Sequence, residues 1–443
     1  MRASVSGKTL LFGYFIVTIL AGSVLLTTPW AWDAPGRLRY LDALFTATSA
    51  VCVTGLIVVD TSQFSLFGTI VLIGLIQAGG LGIIAFGTLL LTGGGRKLSL
   101  ANRRLIKEYS IDSVEYEPRL IVRRIILLSL GIEATGAAVL VFAFHRSGAE
   151  TPVLNGIFHA VSAFANAGFS LFDTSLEAYV DNAFIMLPIV LLLTLGGTGF
   201  VVFMDIARRV RGDVRVLSLH TRIVLTMTVL LGLSGTIIFF VFEGQASLAD
   251  VSLSERLLAS FFQAVTPRTA GFNSIPQSEL SMPSRIWTLL LMFIGGAPGS
   301  IAGGVKVTTI VLVFMLAIRR REMHAEIRIG SRSINPVVLN KAASIVIKSL
   351  LIVFSAVLLL SVTENWAAGS DFEFMEVVFE TVSAFSTVGL SLGITAQLSD
   401  AGRLVIIAVM FTGRLGIIAM AMPGSEPKHR RLVGYPEGNV LLG

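Results

Sequence analysis

Four short segments of the sequence have residue types that could coordinate a cation through the main chain. They are "LFTATSAVCVTGL", "IFHAVSAFANAGF", "SFFQAVTPRTAGF" and "VFETVSAFSTVGL", each with a phenylalanine ten residues before its glycine. The two residues before each glycine are never acidic. Carbonyl oxygens can replace the hydration shell of a cation without burying formal charge, and glycine permits the required backbone because it accepts positive φ. The segments therefore predict carbonyl ligands for a monovalent cation.

The candidate ligands are each glycine and the two residues before it, acting mainly through backbone oxygen. An isolated glycine would more often let membrane helices pack closely. Four glycines in register, each after a short helical segment, favour the ligand interpretation instead. The candidates are Val53, Thr54 and Gly55; Asn166, Ala167 and Gly168; Thr269, Ala270 and Gly271; and Thr387, Val388 and Gly389.

These segments belong to a longer repeat. A second landmark follows each glycine after 25, 29, 25 and 25 residues, in "QAGGLGI", "TLGGTGF", "FIGGAPGS" and "FTGRLGI". Each unit contains an apolar span, a short amphipathic segment, the glycine segment and a second span. The short segments, such as 42–51 and 374–385, cannot cross a bilayer and are predicted to be re-entrant helices. Such a structure is tolerated in a membrane only where it is buried in protein or lines water.

The composition indicates a membrane protein. The chain has 443 residues, of which 54% are hydrophobic and 14% charged, against about 25% charged in soluble domains. Lys and Arg concentrate in alternate loops, so the positive-inside rule places both termini in the cytoplasm. The net charge of +6 follows from this topology and does not indicate nucleic acid binding. Eight apolar runs are the expected spans: 9–30, 65–92, 121–144, 183–206, 221–242, 286–318, 343–362 and 403–422.

The predicted fold class is an all-α polytopic membrane protein. Each unit crosses the membrane twice, so the four helix/pore-loop/helix repeats are parallel and surround a pseudo-fourfold central pore, unlike inverted repeats. The predicted boundaries are 1–110, 111–215, 216–335 and 336–423 for the four repeats, followed by a C-terminal tail, 424–443.

The third repeat departs from this pattern. Glycine and proline recur within its second apolar run and disfavour a helix there, proline by about 3 kcal/mol, so two half-helices joined by a loop are predicted. Below the carbonyl ring, such a loop could obstruct an ion. The candidate gate residues are Gly295, Gly296, Ala297, Pro298, Gly299, Ser300, Gly303, Gly304, Lys306 and Arg414.

Three charged residues in apolar runs, Glu133, Lys306 and Arg414, and a fourth in the last short helix, Glu380, need partners, because a charge at the bilayer centre costs about 2.5–3.5 kcal/mol. Lys306 and Arg414 are predicted to pair with loop carbonyls and to repel cations when the loop is closed; the alternatives are a structural tie and, for Lys306, extension toward the cytoplasm. Glu133 and Glu380 could serve a proton relay, but structural pairing is favoured, with Glu380 tying its helix to a neighbour. No HExxH, GxSxG or phosphate-loop motif is present, so an enzyme is not expected.

The four units with one filter glycine each resemble the Trk/Ktr/HKT superfamily of potassium transporters, over essentially the whole chain. With eight spans, the chain is most similar to Ktr-type membrane subunits. The resemblance implies potassium uptake, a homodimer with one pore per protomer, and a cytoplasmic ring of nucleotide-binding regulatory subunits of the RCK/KTN type. It also implies that the loop around 295–304 is the gate. Within the superfamily, serine at the first filter glycine accompanies sodium transport, and Gly55 therefore favours potassium.

The expected function is potassium uptake through a channel-like pore in the cell membrane. No covalent cofactor is expected; K⁺ is the transported ion, and sodium is retained as a candidate activator. The alternative is a symporter that couples potassium movement to sodium or protons.

Overall fold

A computed structural model describes residues 7–92, 118–318, 328–329 and 332–416. Within these ranges the named secondary-structure elements are helices apart from one short antiparallel hairpin, β1 (Arg328–Ile329) and β2 (Arg332–Ser333). The predicted all-α class is confirmed. The predicted tail, 424–443, lies outside the described residues. The helices are α1 (Gly7–Leu26), α2 (Tyr40–Cys52), α3 (Leu66–Thr92), α4 (Pro118–Arg146), α5 (Pro152–Phe164), α6 (Ala183–Thr198), α7 (Phe200–Val210), α8 (Leu219–Phe242), α9 (Leu253–Val265), α10 (Met282–Phe293), α11 (Val307–Ile318), α12 (Pro336–Ser361), α13 (Phe374–Ser386) and α14 (Asp400–Phe411).

The first helix of each repeat is long and apolar enough to cross a membrane. Within the described residues, the four stretches with this property are Thr9–Leu26, Val122–Arg146, Leu219–Gln245 and Pro336–Trp366. They carry exposed apolar side chains, such as those of Val17, Leu127, Leu233 and Leu351. Such exposure suits a helix whose solvent is lipid, since lipid tails are as apolar as leucine.

The second helices of the repeats are less regular. α3 is continuous, α10 and α11 are separated by residues 294–306, and α14 continues into a π-helical turn, Thr412–Gly416. The expected span over 183–206 is not one straight helix, because α6 ends at Thr198 and α7 turns away by 95°; the two helices together are apolar enough to cross a membrane as a broken span. Between them Gly199 adopts φ 87° and ψ 142°, a conformation essentially restricted to glycine.

The four short helices, α2, α5, α9 and α13, each have 13 residues. α9 and α13 begin with capping boxes, Ser252 with Glu255 and Glu373 with Glu376; in such boxes, side chains satisfy N–H groups that lack helical partners. The helices run into the protein interior, where the phenylalanine that precedes each glycine by ten residues is buried in α2, α5 and α13. In α9 the corresponding Phe261 is exposed.

Two ion pairs join the first repeat to the fourth. Arg403 of α14 binds the carboxylate of Asp42 on α2, with side chains only 12% and 10% exposed. Arg39 and Asp400 form a second pair, 2.7 Å apart, whose side chains are 58% and 60% exposed. The first and last repeats of the chain therefore contact each other directly.

The two pairs make different predictions for stability. Arg403→Ala leaves the buried Asp42 carboxylate without its partner and should lower the free energy of unfolding by about 3 kcal/mol. Arg39→Ala removes an exposed pair and should change it by less than about 1 kcal/mol. Thermal unfolding of the purified protein in detergent measures both, and equal shifts would contradict the assignment.

Candidate functional site

The predicted glycine segments share one backbone conformation. Gly55, Gly168, Gly271 and Gly389 have φ values of 94°, 71°, 83° and 95°. The residue two positions before each glycine is also left-handed, with φ of 56° at Val53, 57° at Asn166, 67° at Thr269 and 51° at Thr387. Left-handed backbone is uncommon for residues other than glycine, and for a β-branched residue it is an outlier. Each segment therefore makes the same two-step turn at the end of its short helix.

The four glycine segments contact one another in a closed cycle. A Cβ atom added to Gly55 would lie 2.5 Å from the carbonyl oxygen of Ala167, and one on Gly168 would lie 2.8 Å from that of Ala270. A Cβ on Gly271 would collide with the carbonyl oxygen of Val388, and one on Gly389 with that of Thr54. The order is therefore segment one, two, three, four and back to one. These contacts join the four glycines and the residue before each of them, and the left-handed residues two positions before the glycines lead into the ring.

Hydroxyl groups of the short helices hold the segments in place. In the first and fourth repeats the N–H of the glycine donates to a serine of its own short helix, Gly55 to Ser49 (3.0 Å) and Gly389 to Ser383 (3.1 Å). In the second and third repeats a hydroxyl donates to the carbonyl after the glycine, Ser162 to Phe169 and Thr266 to Phe272, both at 2.7 Å. The two kinds of bond fix the backbone on either side of the glycine.

Residues 294–306, called the loop from here on, connect α10 to α11. The loop closes on itself, because the N–H of Gly295 donates to the carbonyl of Val305 at 2.9 Å and that of Val305 donates to Phe293 at 3.2 Å. Ala297, Ile301, Ala302 and Val305 are at most 3% exposed. Most of the loop is therefore buried inside the protein, whereas Gly299 is exposed.

The loop is bonded mainly to the second repeat. The N–H groups of Ala297 and Ile301 donate to the carbonyls of Gly197 (2.9 Å) and Gly196 (3.3 Å). The N–H of Phe200, the first residue of α7, donates to Gly299 of the loop at 3.3 Å. The break at Gly199 therefore frees a backbone donor that the loop satisfies.

The other side of the loop faces the fourth glycine segment. A Cβ atom on Gly303 would collide with Oγ1 of Thr387 and would lie 2.6 Å from the carbonyl oxygen of Ser386. The described hydroxyls of Thr387, Thr269 and Thr54 are buried and lack hydrogen-bond partners within the described chain. The loop thus lies directly against the ring of glycine segments, beside a set of polar groups.

The two basic residues predicted at the gate, Lys306 and Arg414, both donate hydrogen bonds to carbonyl oxygens of the loop. Arg414, 4% exposed, donates to Ile301 of the loop at 2.5 Å and to Gly79 of α3 at 3.4 Å. Lys306 donates to Ala302 at 2.5 Å, within the loop itself. Arg414 therefore connects the fourth repeat to the loop and to the first repeat, whereas Lys306 ties the loop to its own end.

The first glycine of the second landmark has a packing role. A Cβ atom on Gly79, Gly196 or Gly413 would collide with the carbonyl oxygen of Val51, Phe164 or Phe385, respectively, each four residues before the ring glycine of its repeat. The corresponding Gly295 instead meets the carbonyl of Gly303. In the third repeat the loop therefore replaces the contact that the other three repeats make.

The two acids have different partners. Glu133 of α4 accepts a hydrogen bond from Gln77 of α3, which agrees with structural pairing. The prediction that Glu380 ties its helix to a neighbour is wrong, because it accepts bonds from Ser391 and Thr395 of its own repeat, both at 2.6 Å. The chain after Gly389 folds back over α13 and brings the hydroxyls of Ser391 and Thr395 to Glu380.

Sequence reasoning missed two residues at the site. Arg268 precedes the left-handed Thr269, and its Nη2 lies 3.4 Å from Oγ1 of Thr228 on α8. Its signal was a charge at the position that Cys52, Ala165 and Ser386 occupy in the other repeats. Gly199 was also missed, since a single glycine in an apolar run is commonly tolerated within a helix.

Comparison with known proteins agrees with this architecture. The model of a family described as TrkH, cation transport protein, matches residues 5–427. The chain belongs to this family. It is therefore a membrane-spanning transporter and not an enzyme.

Relatives of known name match along nearly their full lengths. The chain is 38% identical over 440 residues to the Ktr system potassium uptake protein B of Bacillus subtilis, covering 98% of this chain and 96% of that protein. It is 37% identical to the protein of the same name from Vibrio alginolyticus, covering 97% and 93%. It is 36% identical to the potassium/sodium uptake protein NtpJ of Enterococcus hirae, covering 100% and 98%.

A solved structure shows the same fold. The crystal structure of the potassium transporter TrkH from Vibrio parahaemolyticus matches with a TM-score of 0.73 and 21% identity, over 95% of this chain and 85% of that one. At this identity the match supports the fold alone.

The contact between the loop and the second repeat can be tested at Gly199. Gly199→Ala forces a Cβ to within 2.9 Å of the Pro298 carbonyl oxygen and adds backbone strain of about 1–3 kcal/mol. We expect a lower unfolding temperature and faster thiol labelling of a cysteine introduced at Ser300. Gly212→Ala is the control, because Gly212 has φ 83° but nothing within 4 Å of an added Cβ. Equal labelling rates in the two variants would show that Gly199 does not hold the loop.

Proposed function

We propose that this protein takes up potassium through the centre of the ring formed by its four glycine segments. The observation that carries the proposal is the closed cycle of backbone contacts through Gly55, Gly168, Gly271 and Gly389. Backbone oxygen is the ligand type that dehydrated K⁺ uses in channels. The relatives named for potassium uptake support the choice of ion.

The membrane arrangement that fits this function has eight spans and four re-entrant pore helices, α2, α5, α9 and α13. Four long helices begin the repeats, and the shorter or broken second helices complete them. In this arrangement the repeats follow the boundaries predicted above, both termini are cytoplasmic, and the protein resides in the cell membrane. Helices aimed at the ring place the negative ends of their dipoles near a cation.

The selectivity filter is then formed by the backbone oxygens of each ring glycine and of the two residues before it. The eight residues other than the glycines are at most 2% exposed, and Gly389 alone among the four glycines is partly exposed, so a bound ion would be largely shielded from bulk water. One glycine per segment leaves fewer positions free to turn carbonyls toward an axis than two would. Discrimination against sodium should therefore depend strongly on how the segments are held.

The loop serves as the gate in this proposal. It lies against the ring at Gly303, and its position is held by backbone bonds to the second repeat and by Arg414. The positive charges of Arg414 and Lys306 would oppose the passage of a cation while the loop is in place. Movement of the loop away from the ring would open the path.

Regulation is proposed to come from partner subunits. The words "Ktr system" in the relatives' names support a membrane component that works with other subunits. In this proposal the chain forms a homodimer and carries a cytoplasmic ring of nucleotide-binding subunits of the RCK/KTN type. Part of the surface on which this ring would dock is the basic segment 207–222, which includes the exposed Arg209 and Arg211. Sodium stimulation is part of the proposal, and one relative is named for uptake of potassium and sodium.

The mode of transport is tested by the reversal potential of protein in proteoliposomes. A channel-like pore should give a potential that follows the potassium gradient alone. A symporter, the alternative, would shift the potential when the sodium or proton gradient is changed at a fixed potassium gradient.

The filter is tested by Gly389→Ala. The added Cβ collides with the Thr54 carbonyl oxygen, and positive φ adds strain of about 1–3 kcal/mol, so potassium uptake should fall by roughly tenfold or more. Gly369→Ala is the control in the same repeat, since Gly369 has φ 71° and nothing within 4 Å of an added Cβ. Uptake is measured in a cell that lacks its own potassium transport, at equal protein abundance. Unimpaired uptake by Gly389→Ala would reject the filter.

The gate is tested by Arg414→Ala and by deletion of residues 297–302. Loss of a charge-assisted hydrogen bond removes about 1.5 kcal/mol from the closed arrangement, so potassium flux should rise by roughly tenfold. Arg414→Lys keeps a positive charge and should stay closer to wild type. Flux of K⁺ into proteoliposomes is the measurement, and unchanged flux in both the substitution and the deletion would reject the gate.

A further inference from the structure

The second and fourth repeats share a feature that the first and third lack. Nine residues before the ring glycine, on α5 and α13, stand His159 and Glu380, both fully buried. Each binds the serine two residues after the glycine: His159 Nε2 lies 2.9 Å from Ser170 Oγ, and Glu380 accepts from Ser391 Oγ at 2.6 Å. Two side chains of different chemistry thus make the same connection at equivalent positions.

The direction of each bond follows from the other partners. His159 Nδ1 lies 2.8 Å from the carbonyl oxygen of Asn155, which can only accept, so Nδ1 carries a hydrogen. In the neutral ring Nε2 is then an acceptor, and the hydroxyl of Ser170 donates to it. Ser391 likewise donates to Glu380. In both repeats the residue on the short helix accepts and the serine donates.

The same serines fix the backbone beyond the glycine. The N–H of Phe172 donates to Ser170 Oγ at 3.1 Å, and that of Gly393 donates to Ser391 Oγ at 3.0 Å. Both donors lie two residues after their serine. Each serine hydroxyl therefore links the buried end of the short helix to the turn that leaves the ring.

Within the described chain, the first and third repeats lack a bond between these two positions, and the third instead joins α9 to the segment after its glycine through Gln263 and Gln277, whose side chains are 2.8 Å apart. Nine residues before the ring glycine, the first repeat has Thr46, whose hydroxyl donates to the backbone carbonyl of Asp42 in the same helix. The third repeat has Phe262 at this position. The residues at +2 are Ile57 and Asn273. Because the segments follow one another in the order one, two, three, four, the linked repeats stand opposite each other across the ring.

We propose that His159 with Ser170, and Glu380 with Ser391, are positioning residues that set the preference for K⁺ over Na⁺ by fixing opposite sides of the ring. The proposal rests on the proposed function, in which the ring is the filter. Carbonyl oxygens discriminate between K⁺ and Na⁺ by their number and by how closely they can approach the ion. A segment held only at its helical side could move inward around the smaller ion, whereas one held on both sides could not.

A second bond strengthens the link in the fourth repeat. Oγ1 of Thr395 donates to the other carboxyl oxygen of Glu380 at 2.6 Å, so both oxygens are used. Replacement of Glu380 by glutamine keeps one acceptor, and replacement by leucine keeps none at similar volume. The pair of variants separates hydrogen bonding from packing.

The test measures the K⁺/Na⁺ permeability ratio from reversal potentials in proteoliposomes. Removal of one hydrogen bond should lower the ratio by roughly fivefold in Ser170→Ala and Ser391→Ala, with more loss in Glu380→Leu than in Glu380→Gln. Thr381→Val is the matched control, because Thr381 is equally buried on α13 and its hydroxyl donates only to Val377 of the same helix. It should lower thermal stability slightly and leave the ratio unchanged.

The outcomes distinguish this proposal from the one on which it rests. A wild-type protein whose reversal potential ignores the potassium gradient would reject the proposed function itself. A potassium-selective wild type with unchanged ratios in Ser170→Ala and Ser391→Ala would reject the positioning role alone. The serine variants each remove a single oxygen, so they decide the question even where Glu380→Leu fails to fold. A fall in the ratio for Thr381→Val equal to theirs would also reject it.

Discussion

The structure depends on the close approach of four backbone segments that leave no room for side chains between them. At each ring glycine an added Cβ would meet the carbonyl oxygen of the next segment. Such an approach brings carbonyl dipoles together inside the protein, where each one needs a donor or an ion to offset it. The short helices, their hydroxyl groups and the glycines of the second landmark all serve to hold this arrangement.

Several departures from fourfold symmetry meet at the loop between α10 and α11. The third repeat gives up a continuous second helix, and the second repeat breaks its own helix at Gly199. The fourth repeat has Arg414 where Gly80, Gly197 and Gly296 stand in the others. These three changes meet at the loop, since Phe200 and Arg414 both donate to its carbonyls. The asymmetry therefore belongs to one feature, in which irregular backbone receives its hydrogen bonds from neighbouring repeats.

The repeat pattern was sufficient to identify the four glycine segments that contact one another, because glycines aligned in register with matching phenylalanines mark equivalent positions. Their role as cation ligands stays a prediction. The pattern was also sufficient for the interruption between α10 and α11, where several glycines and a proline act together on local propensity. Gly199 could not be predicted in this way, since its conformation depends on contacts with Pro298 and Gly299, which lie about a hundred residues further along the chain. The left-handed backbone of Val53 opposes its intrinsic preference and is maintained by tertiary packing. The links through His159 and Glu380 depend on how the segment after the glycine folds back, and the sequence showed only that the residues were polar.

In the proposed gate, the energetics of opening centre on Arg414. A buried guanidinium is tolerated because carbonyl oxygens replace its water, and here the acceptors are Ile301 of the loop and Gly79 of α3. Withdrawal of the loop takes away the nearer acceptor and leaves Gly79 at 3.4 Å. The same movement exposes the polar groups below the ring, so water that enters the path can solvate the charge that the loop abandons. Opening and hydration are then coupled. The closed loop supplies one of the two carbonyl acceptors of the Arg414 guanidinium, while Nε lacks a partner within the described chain, so entering water would also meet an unsatisfied donor.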